Sequence, residues 1–192
     1  MKRIFICLTL LVGVIGFSKA QTIKPAIGVN FTDVVNNGDG SASGRAGWQF
    51  GGSIAFGDKI YFEPGVFYQT KSADFRTTDD IAPDDFEAVF KGFRVPVAIG
   101  WNILGNAEST VSLRAFGGAS GFFLTSVDDG LDKDDINSPA WGVFAGAGLD
   151  FWILFLDASY EWSVTDIQKD LSAIDLGRTN GFFVNAGLRI DL

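Results

Sequence analysis

Eight stretches of this chain alternate with a period of two. In each, one parity is apolar and the other is small, polar or charged. After residue 20 no apolar run approaches the roughly 18–20 residues of a membrane-spanning helix; FWILFL at 151–156 is the longest. The alternation therefore predicts strands.

The first stretch, 23–31, sets Ile23, Ile27, Val29 and Phe31 against Lys24, Ala26, Gly28 and Asn30. The second, 45–56, sets Trp48, Phe50, Ile54 and Phe56 against Arg45, Gly47, Gln49, Gly51 and Ser53. In the third, 60–72, Ile60, Phe62, Val66 and Tyr68 oppose Tyr61, Glu63, Gly65, Phe67, Gln69 and Lys71. In the fourth, 89–101, Phe93, Val95, Val97, Ile99 and Trp101 oppose Gly92, Arg94, Pro96, Ala98 and Gly100. The fifth, 110–124, is the least regular: Val111, Leu113 and Phe123 share a parity that Phe116 and Phe122 break. The sixth, 140–151, sets Trp141, Val143, Leu149 and Phe151 against Gly142, Gly146, Gly148 and Asp150. The seventh, 153–163, sets Leu154, Leu156, Tyr160 and Trp162 against Asp157, Ser159 and Glu161. The eighth, 181–192, sets Phe182, Val184, Leu188, Ile190 and Leu192 against Asn185, Gly187, Arg189 and Asp191.

Connections alternate in length. They are long at 32–44, 72–88, 125–138 and 164–180, and short at 57–59, 102–109 and 152–153. Long loops at one end, tight turns at the other and an even number of strands describe an all-β, eight-stranded antiparallel up-and-down transmembrane β-barrel, with both termini at the short-turn end.

Which face meets lipid follows from the second parity. It holds Lys24, Glu63, Arg94, Asp157, Glu161, Arg189 and Asp191, together with many of the chain's 24 glycines. Glycine weakens a strand and shields nothing from solvent. Inside a narrow barrel the same residues relieve crowding and let opposite charges pair across the lumen. The competing arrangement, a secreted lipocalin-like barrel with the apolar face inward, would need a well-solvated outer face, which glycine-rich strands supply poorly. Aromatic residues fall at both ends of the apolar faces. Phe31, Trp48, Tyr68, Phe123, Trp141, Trp162 and Phe182 lie near the loop end, and Phe56, Phe62, Trp101 and Phe151 near the turn end. That is the double girdle of a bilayer barrel. Pro64 and Pro96 sit within strands and are expected to mark local bulges.

Residues 1–20, MKRIFICLTLLVGVIGFSKA, have the parts of a secretory signal peptide: Lys2 and Arg3, an apolar core from Ile4 to Phe17, and Ser18-Lys19-Ala20 before Gln21. The expected organisation is a leader over 1–20 and a barrel domain over 21–192, with the mature protein in the cell outer membrane of a Gram-negative envelope. Cys7 is the sole cysteine and lies in the leader, so disulfides and thiolate chemistry are excluded from the rest. A formal charge of −8 argues against a nucleic-acid partner, which needs a basic face. The expected partners are outer-membrane lipid and the barrel-insertion machinery.

YFEPGVFYQTKS resembles a strand segment of the PorT-like outer-membrane β-barrel proteins. FKGFRVPVAIGWNI is similar to their next strand, WGVFAGAGLDF followed by LDASYEWSVTDI to a later glycine-rich pair, and NAGLRIDL to their closing strand. Such barrels usually end in an aromatic residue; here Leu192 occupies that place. The resemblance implies fold and location, and says little of activity.

Catalytic readings are poor. Asp157 and Glu161 could do acid/base work, but paired interior acids in a barrel read more readily as salt-bridged structure. The acidic loop VDDGLDKDDIN at 127–137 lacks the ligand spacing of a calcium-binding EF-hand. There is no histidine, so a Ser–His hydrolase is impossible. No cofactor is expected. Two classes remain: a non-enzymatic barrel that anchors acidic surface loops or serves as an envelope accessory, and a ligand- or ion-binding barrel using loops or lumen. Sequencing the N-terminus of the protein from the outer-membrane fraction should give Gln21 or its pyroglutamate. Recovery only from soluble periplasm would defeat the membrane assignment.

Overall fold

The computed structural model describes residues 21–35, 42–44, 46–75, 86–106, 109–128, 138–164 and 178–192. The expected leader, residues 1–20, lies outside the described residues, as do most of the acidic loop at 127–137 and Arg45. The elements are β1 Gln21–Val35, β2 Ala42–Gly44, β3 Ala46–Gly57, β4 Ile60–Phe75, β5 Phe86–Leu104, β6 Val111–Asp128, β7 Ala140–Phe151, β8 Leu154–Ser163, β9 Arg178–Leu188 and β10 Ile190–Asp191. The long strands pair antiparallel with their chain neighbours, and β1 pairs with β9 and β10, so the sheet closes. The short β2 pairs with β4 and β10 with β1. The result is an eight-stranded up-and-down barrel in which the first strand closes on the last.

Strand parity sets the two faces. The outward set includes Ile27, Val29, Trp48, Phe50, Ile99, Trp101, Leu149, Leu156 and Trp162, all exposed. The inward set includes Lys24, Asn30, Gln49, Gln69, Arg94, Arg114, Asp150, Asp157 and Arg189, all buried. A charged, buried inside and an apolar, exposed outside is the reverse of a soluble barrel. Outward aromatics form a contiguous run across β3, β4 and β5, with ring centroids 5.7 Å apart for the stacked Trp48–Phe50 and 5.5 Å for both the tilted Phe50–Tyr68 and the edge-on Tyr68–Phe93. Lys91 shares Phe93's parity. It stands at a register shift near the loop end of β5, where a long cationic side chain can reach the interface.

The prolines do not make bulges. On β4, rungs to β3 are present at Ser53↔Gly65 and Phe56↔Phe62 and skip Pro64 without a change of register. Rungs between β4 and β5 skip Pro96 between Pro64↔Val97 and Phe67↔Arg94, again in register. Pro25 does the same at the closing seam, where pairing runs from Ile23↔Ile190 to Ala26↔Gly187. A proline lacks its N–H, so it removes a rung; it does not need an extra residue opposite. The register shifts between β5 and β6 fall elsewhere, at Lys91/Gly92 and Asn102/Leu104.

Strands also run further into the expected loops than the alternation suggested. The β4–β5 hairpin continues through Ser72↔Val89 to Phe75↔Phe86, and Ala42–Gly44 forms β2. Once a hairpin is in register, each further rung needs only local ordering, whether or not its side chains alternate. At the other end the turns are tight. Gly57 takes φ 121°, a conformation that suits glycine. The β7–β8 turn places Trp152 at φ 56°. The Trp152 N–H donates to the Thr110 carbonyl at 2.6 Å and the Arg189 N–H to the Ile153 carbonyl at 2.7 Å, tying the turn to both neighbours.

Val97 faces lipid at mid-strand, and Leu156 faces it nearer the short-turn end of β8. Arginine should cost about 2–4 kcal/mol of refolding stability in bilayers at Val97, less at Leu156, and about 0–1 kcal/mol at Asp58, in the exposed β3–β4 turn. Denaturant titration in lipid vesicles measures both; equal losses at all three sites would reverse the faces.

Candidate functional site: the charged lumen

Every long strand contributes a charged or polar side chain to the interior, and two ionic clusters result. The larger lies toward the short-turn end. The Lys24 ammonium on β1 lies 3.1 Å from Glu63 Oε1 on β4 and 3.2 Å from Asp157 Oδ2 on β8. Ser53 Oγ donates to Glu63 at 2.6 Å. Arg114 on β6 is the hub: Nη2 lies 2.6 Å from Asp157 Oδ1 and 2.9 Å from Asp150 Oδ1, and Nη1 donates to the Tyr61 hydroxyl at 3.1 Å. Asp150 also accepts from Ser112 Oγ. Arg189 extends the cluster to the rim, with Nη2 3.2 Å from Asp191 Oδ2 and Nη1 3.6 Å from Asp150 Oδ2. Asp191 accepts a hydrogen bond from Thr22 Oγ1 at 2.7 Å.

The second cluster centres on Arg94 of β5. Its Nη2 lies 2.6 Å from Glu161 Oε2, Nε donates to the same oxygen at 2.9 Å, and Ser120 Oγ donates to it at 2.6 Å. Its guanidinium lies 4.4 Å from the Phe183 ring centroid and 5.1 Å from that of Phe144. Lys24 likewise sits 4.3 Å over Phe155. These cations thus take both carboxylates and ring faces as partners, which suits a site from which water is largely excluded.

Inward glycines make the network possible. A Cβ at Gly148 would collide with the Asp157 carboxylate and the Arg114 guanidinium, and one at Gly100 would overlap the Tyr61 ring. Two internal voids among the described residues are correspondingly small. One of about 50 Å³ touches Phe67, Arg94, Phe116, Phe144 and Asp157, and one of about 30 Å³ touches Lys24, Glu63, Asn102, Arg114 and Arg189. An amide layer is less well satisfied. Gln49 Nε2 donates to Asn185 Oδ1 and Asn30 Nδ2 to the Thr70 carbonyl, but among the described residues Gln69 hydrogen-bonds through neither amide atom.

Of the seven charged residues singled out from the sequence, Lys24, Glu63, Arg94, Asp157 and Glu161 lie on inward strand positions, Arg189 is buried at the break between β9 and β10, and Asp191 is partly exposed at the rim. Lys24 and Asp191, on the first and last strands, do not meet where those strands close. Instead Lys24 reaches across to Glu63 and Asp157, while Asp191 pairs with Arg189 and Thr22. The physical reason is position: Lys24 is one inward step further up its strand than Thr22, the residue opposite Asp191. The hub itself, Arg114, was missed. It belongs to the irregular fifth stretch, where Phe116 and Phe122 hid the parity; both are inward, with Phe116 packed on Phe144 at 6.4 Å and Phe122 under Lys71 at 4.8 Å. Following the charge in that stretch would have given the parity that the aromatics obscured. Among the described residues no group of three His, Cys, Asp or Glu is placed to hold a metal.

A closed eight-stranded barrel, apolar outside and ionic inside, defines an outer-membrane β-barrel protein. The chain belongs to the outer membrane protein beta-barrel domain family, whose model matches residues 18–169. Among solved structures it is similar to Ail, the attachment invasion locus protein of Yersinia pestis, in complex with the heparin analogue sucrose octasulfate: 19% identity over 88% of this chain and 99% of that one, TM-score 0.49. It is also similar to the N-terminal β-barrel domain of Pseudomonas aeruginosa OprF, at 12% identity over 88% and 97% of the two chains, TM-score 0.39. No curated protein matches the chain.

Arg94→Met leaves Glu161 buried without its cation and should destabilise the refolded barrel by about 3–5 kcal/mol. The double variant with Glu161→Gln should recover part of that loss. A double-mutant cycle of unfolding free energies measures the coupling, and independent, additive effects would dismiss the pair as a stabilising contact.

Proposed function

We propose that this protein is a non-enzymatic, PorT-like member of the family, which anchors acidic surface loops or serves as a structural accessory of the envelope, with a lumen closed to diffusion. The observation that carries this reading is the pairing of the interior charges: Arg114 alone engages Asp150, Asp157 and Tyr61, and Arg94 engages Glu161. A lumen filled in this way leaves no continuous path for solutes. On this reading residues 1–20 are removed on export, the insertion machinery assembles the barrel, the short turns face the periplasm and the long loops face outward.

A second reading, a barrel that takes a small polar ligand, is favoured by the amide layer, because unsatisfied buried amides can accept a polar guest. Conductance separates the two only in part; ligand-dependent shifts in the stability of the refolded barrel complete the comparison. In a planar bilayer the wild-type protein should be almost non-conducting. Large steady conductance would mean that the charges line open water, and the plugged reading would fall.

A further inference from the structure

We propose that the outer face carries a defined site for one phospholipid acyl chain, at the short-turn end of the seam between β8, β9, β1 and β3. A groove of about 660 Å³ lies there, within the roughly 300–1,000 Å³ range of small-molecule sites. Its origin is visible in the register. Leu156, Ala186, Ile27 and Phe50 stand side by side across the four strands, all outward. Ala186 is the one small side chain in that row, so Leu156 and Ile27 become walls and Ala186 the floor. Leu154 and Leu188, themselves paired, continue the walls toward the turns. Across β3, β4 and β5, by contrast, the contacting rings of Trp48, Phe50, Tyr68 and Phe93 cover the surface.

The occupant follows from continuity with the lipid-facing belt, in which the groove is set: its lining is apolar, and acyl chains are the medium around it. The adjoining turn supports the same occupant. Phe151 and Leu154, which flank the β7–β8 turn, both line the groove. The turn itself is Trp152-Ile153, exposed by 66% and 44%. The equivalent turn between β3 and β4 is Asp58-Lys59, the polar pair expected in water. Trp152 also holds φ 56°, where glycine would be relaxed and a bulky side chain is an outlier. An indole kept on a strained, exposed turn beside an apolar groove is placed at headgroup level, with the acyl chain running up between Ile27 and Leu156. Assigning that chain to the periplasmic leaflet rests on the orientation given under Proposed function.

The test is native mass spectrometry of the barrel extracted from membranes in mild detergent, comparing wild type, Ala186→Phe and Ala147→Phe. Ala147 is outward on β7 and does not line the groove. All three keep the lumen intact, and β-sheet circular dichroism together with bilayer conductance reports on the fold and the plugged reading separately. Wild type and Ala147→Phe should retain one phospholipid, and Ala186→Phe should lose it by about ten-fold, equivalent to roughly 1.4 kcal/mol of binding. A second measurement needs no filling variant: with Trp48, Trp101, Trp141 and Trp162 changed to Phe, phospholipids brominated on the acyl chain should quench Trp152 fluorescence. Absence of retained lipid in wild type, equal retention in the two alanine variants, or an unquenched Trp152 would each overturn the proposal.

Discussion

Arg114 cannot be considered apart from the wall around it. Its guanidinium reaches Asp150, Asp157 and Tyr61 because three strands bring those groups to one level of the lumen, and because Gly148 and Gly100 leave the space that the contacts need. Outside the wall is lipid, so no rearrangement can turn a lumen charge toward water through the side of the barrel. Each interior charge must be met by another interior group or lose several kcal/mol of solvation. Lys24 meets this requirement with Glu63, Asp157 and the face of Phe155, and Arg94 with Glu161, Ser120, Phe183 and Phe144. The use of ring faces matters here. It gives a buried cation a second partner without adding a carboxylate that would itself need pairing.

Closure also explains why the sheet tolerates three prolines. Pro25 interrupts the β1–β9/β10 seam, Pro64 the β3–β4 seam and Pro96 the β4–β5 seam. In an open sheet a lost rung near an edge invites fraying or slippage. In a closed one, each proline is still paired on its strand's other side, as Pro25↔Gly52, Pro64↔Val97 and Pro96↔Ser120, and the register on both sides of each gap is the same.

Much of this was legible from parity alone. The position of each expected strand, the outward aromatics and the inward set that includes Lys24, Glu63 and Arg94 follow from a period of two, because lipid and lumen impose opposite demands on adjacent residues. Three things were not legible. Phe116 and Phe122 are apolar yet inward, since a lumen that must be filled accepts aromatics as readily as charges; that masked Arg114. The extension of hairpins to Phe75 and Phe86 depends on backbone pairing, which leaves little trace in side-chain pattern. The partners of Lys24 depend on strand stagger around the barrel, which joins residues far apart in the chain and is fixed only when the sheet closes.

The pairing of lumen charges is better understood as a device for register than as a source of net stability. Taken singly, a buried ion pair roughly breaks even against well-packed apolar side chains. Its weight lies in the alternative it forbids. A one-residue slip of β6 would turn Arg114 and Ser112 to lipid and bring Val111 and Leu113 inward. Arginine on the lipid face costs about 2–4 kcal/mol near the midplane, and Asp150 and Asp157 would lose the hub at the same time, each a buried acid deprived of a partner. The same slip in β1 or β5 would expose Lys24 or Arg94 and orphan Glu63 or Glu161. Every long strand except β3 and β9 carries at least one such charge at a described inward position; on β9 the lumen is met by Asn185, and Arg189 stands just beyond its end. On β3 the lumen is met by Gln49 and Ser53, and register is held from both sides, by the ladder to β1 and the Ser53–Glu63 hydrogen bond to β4.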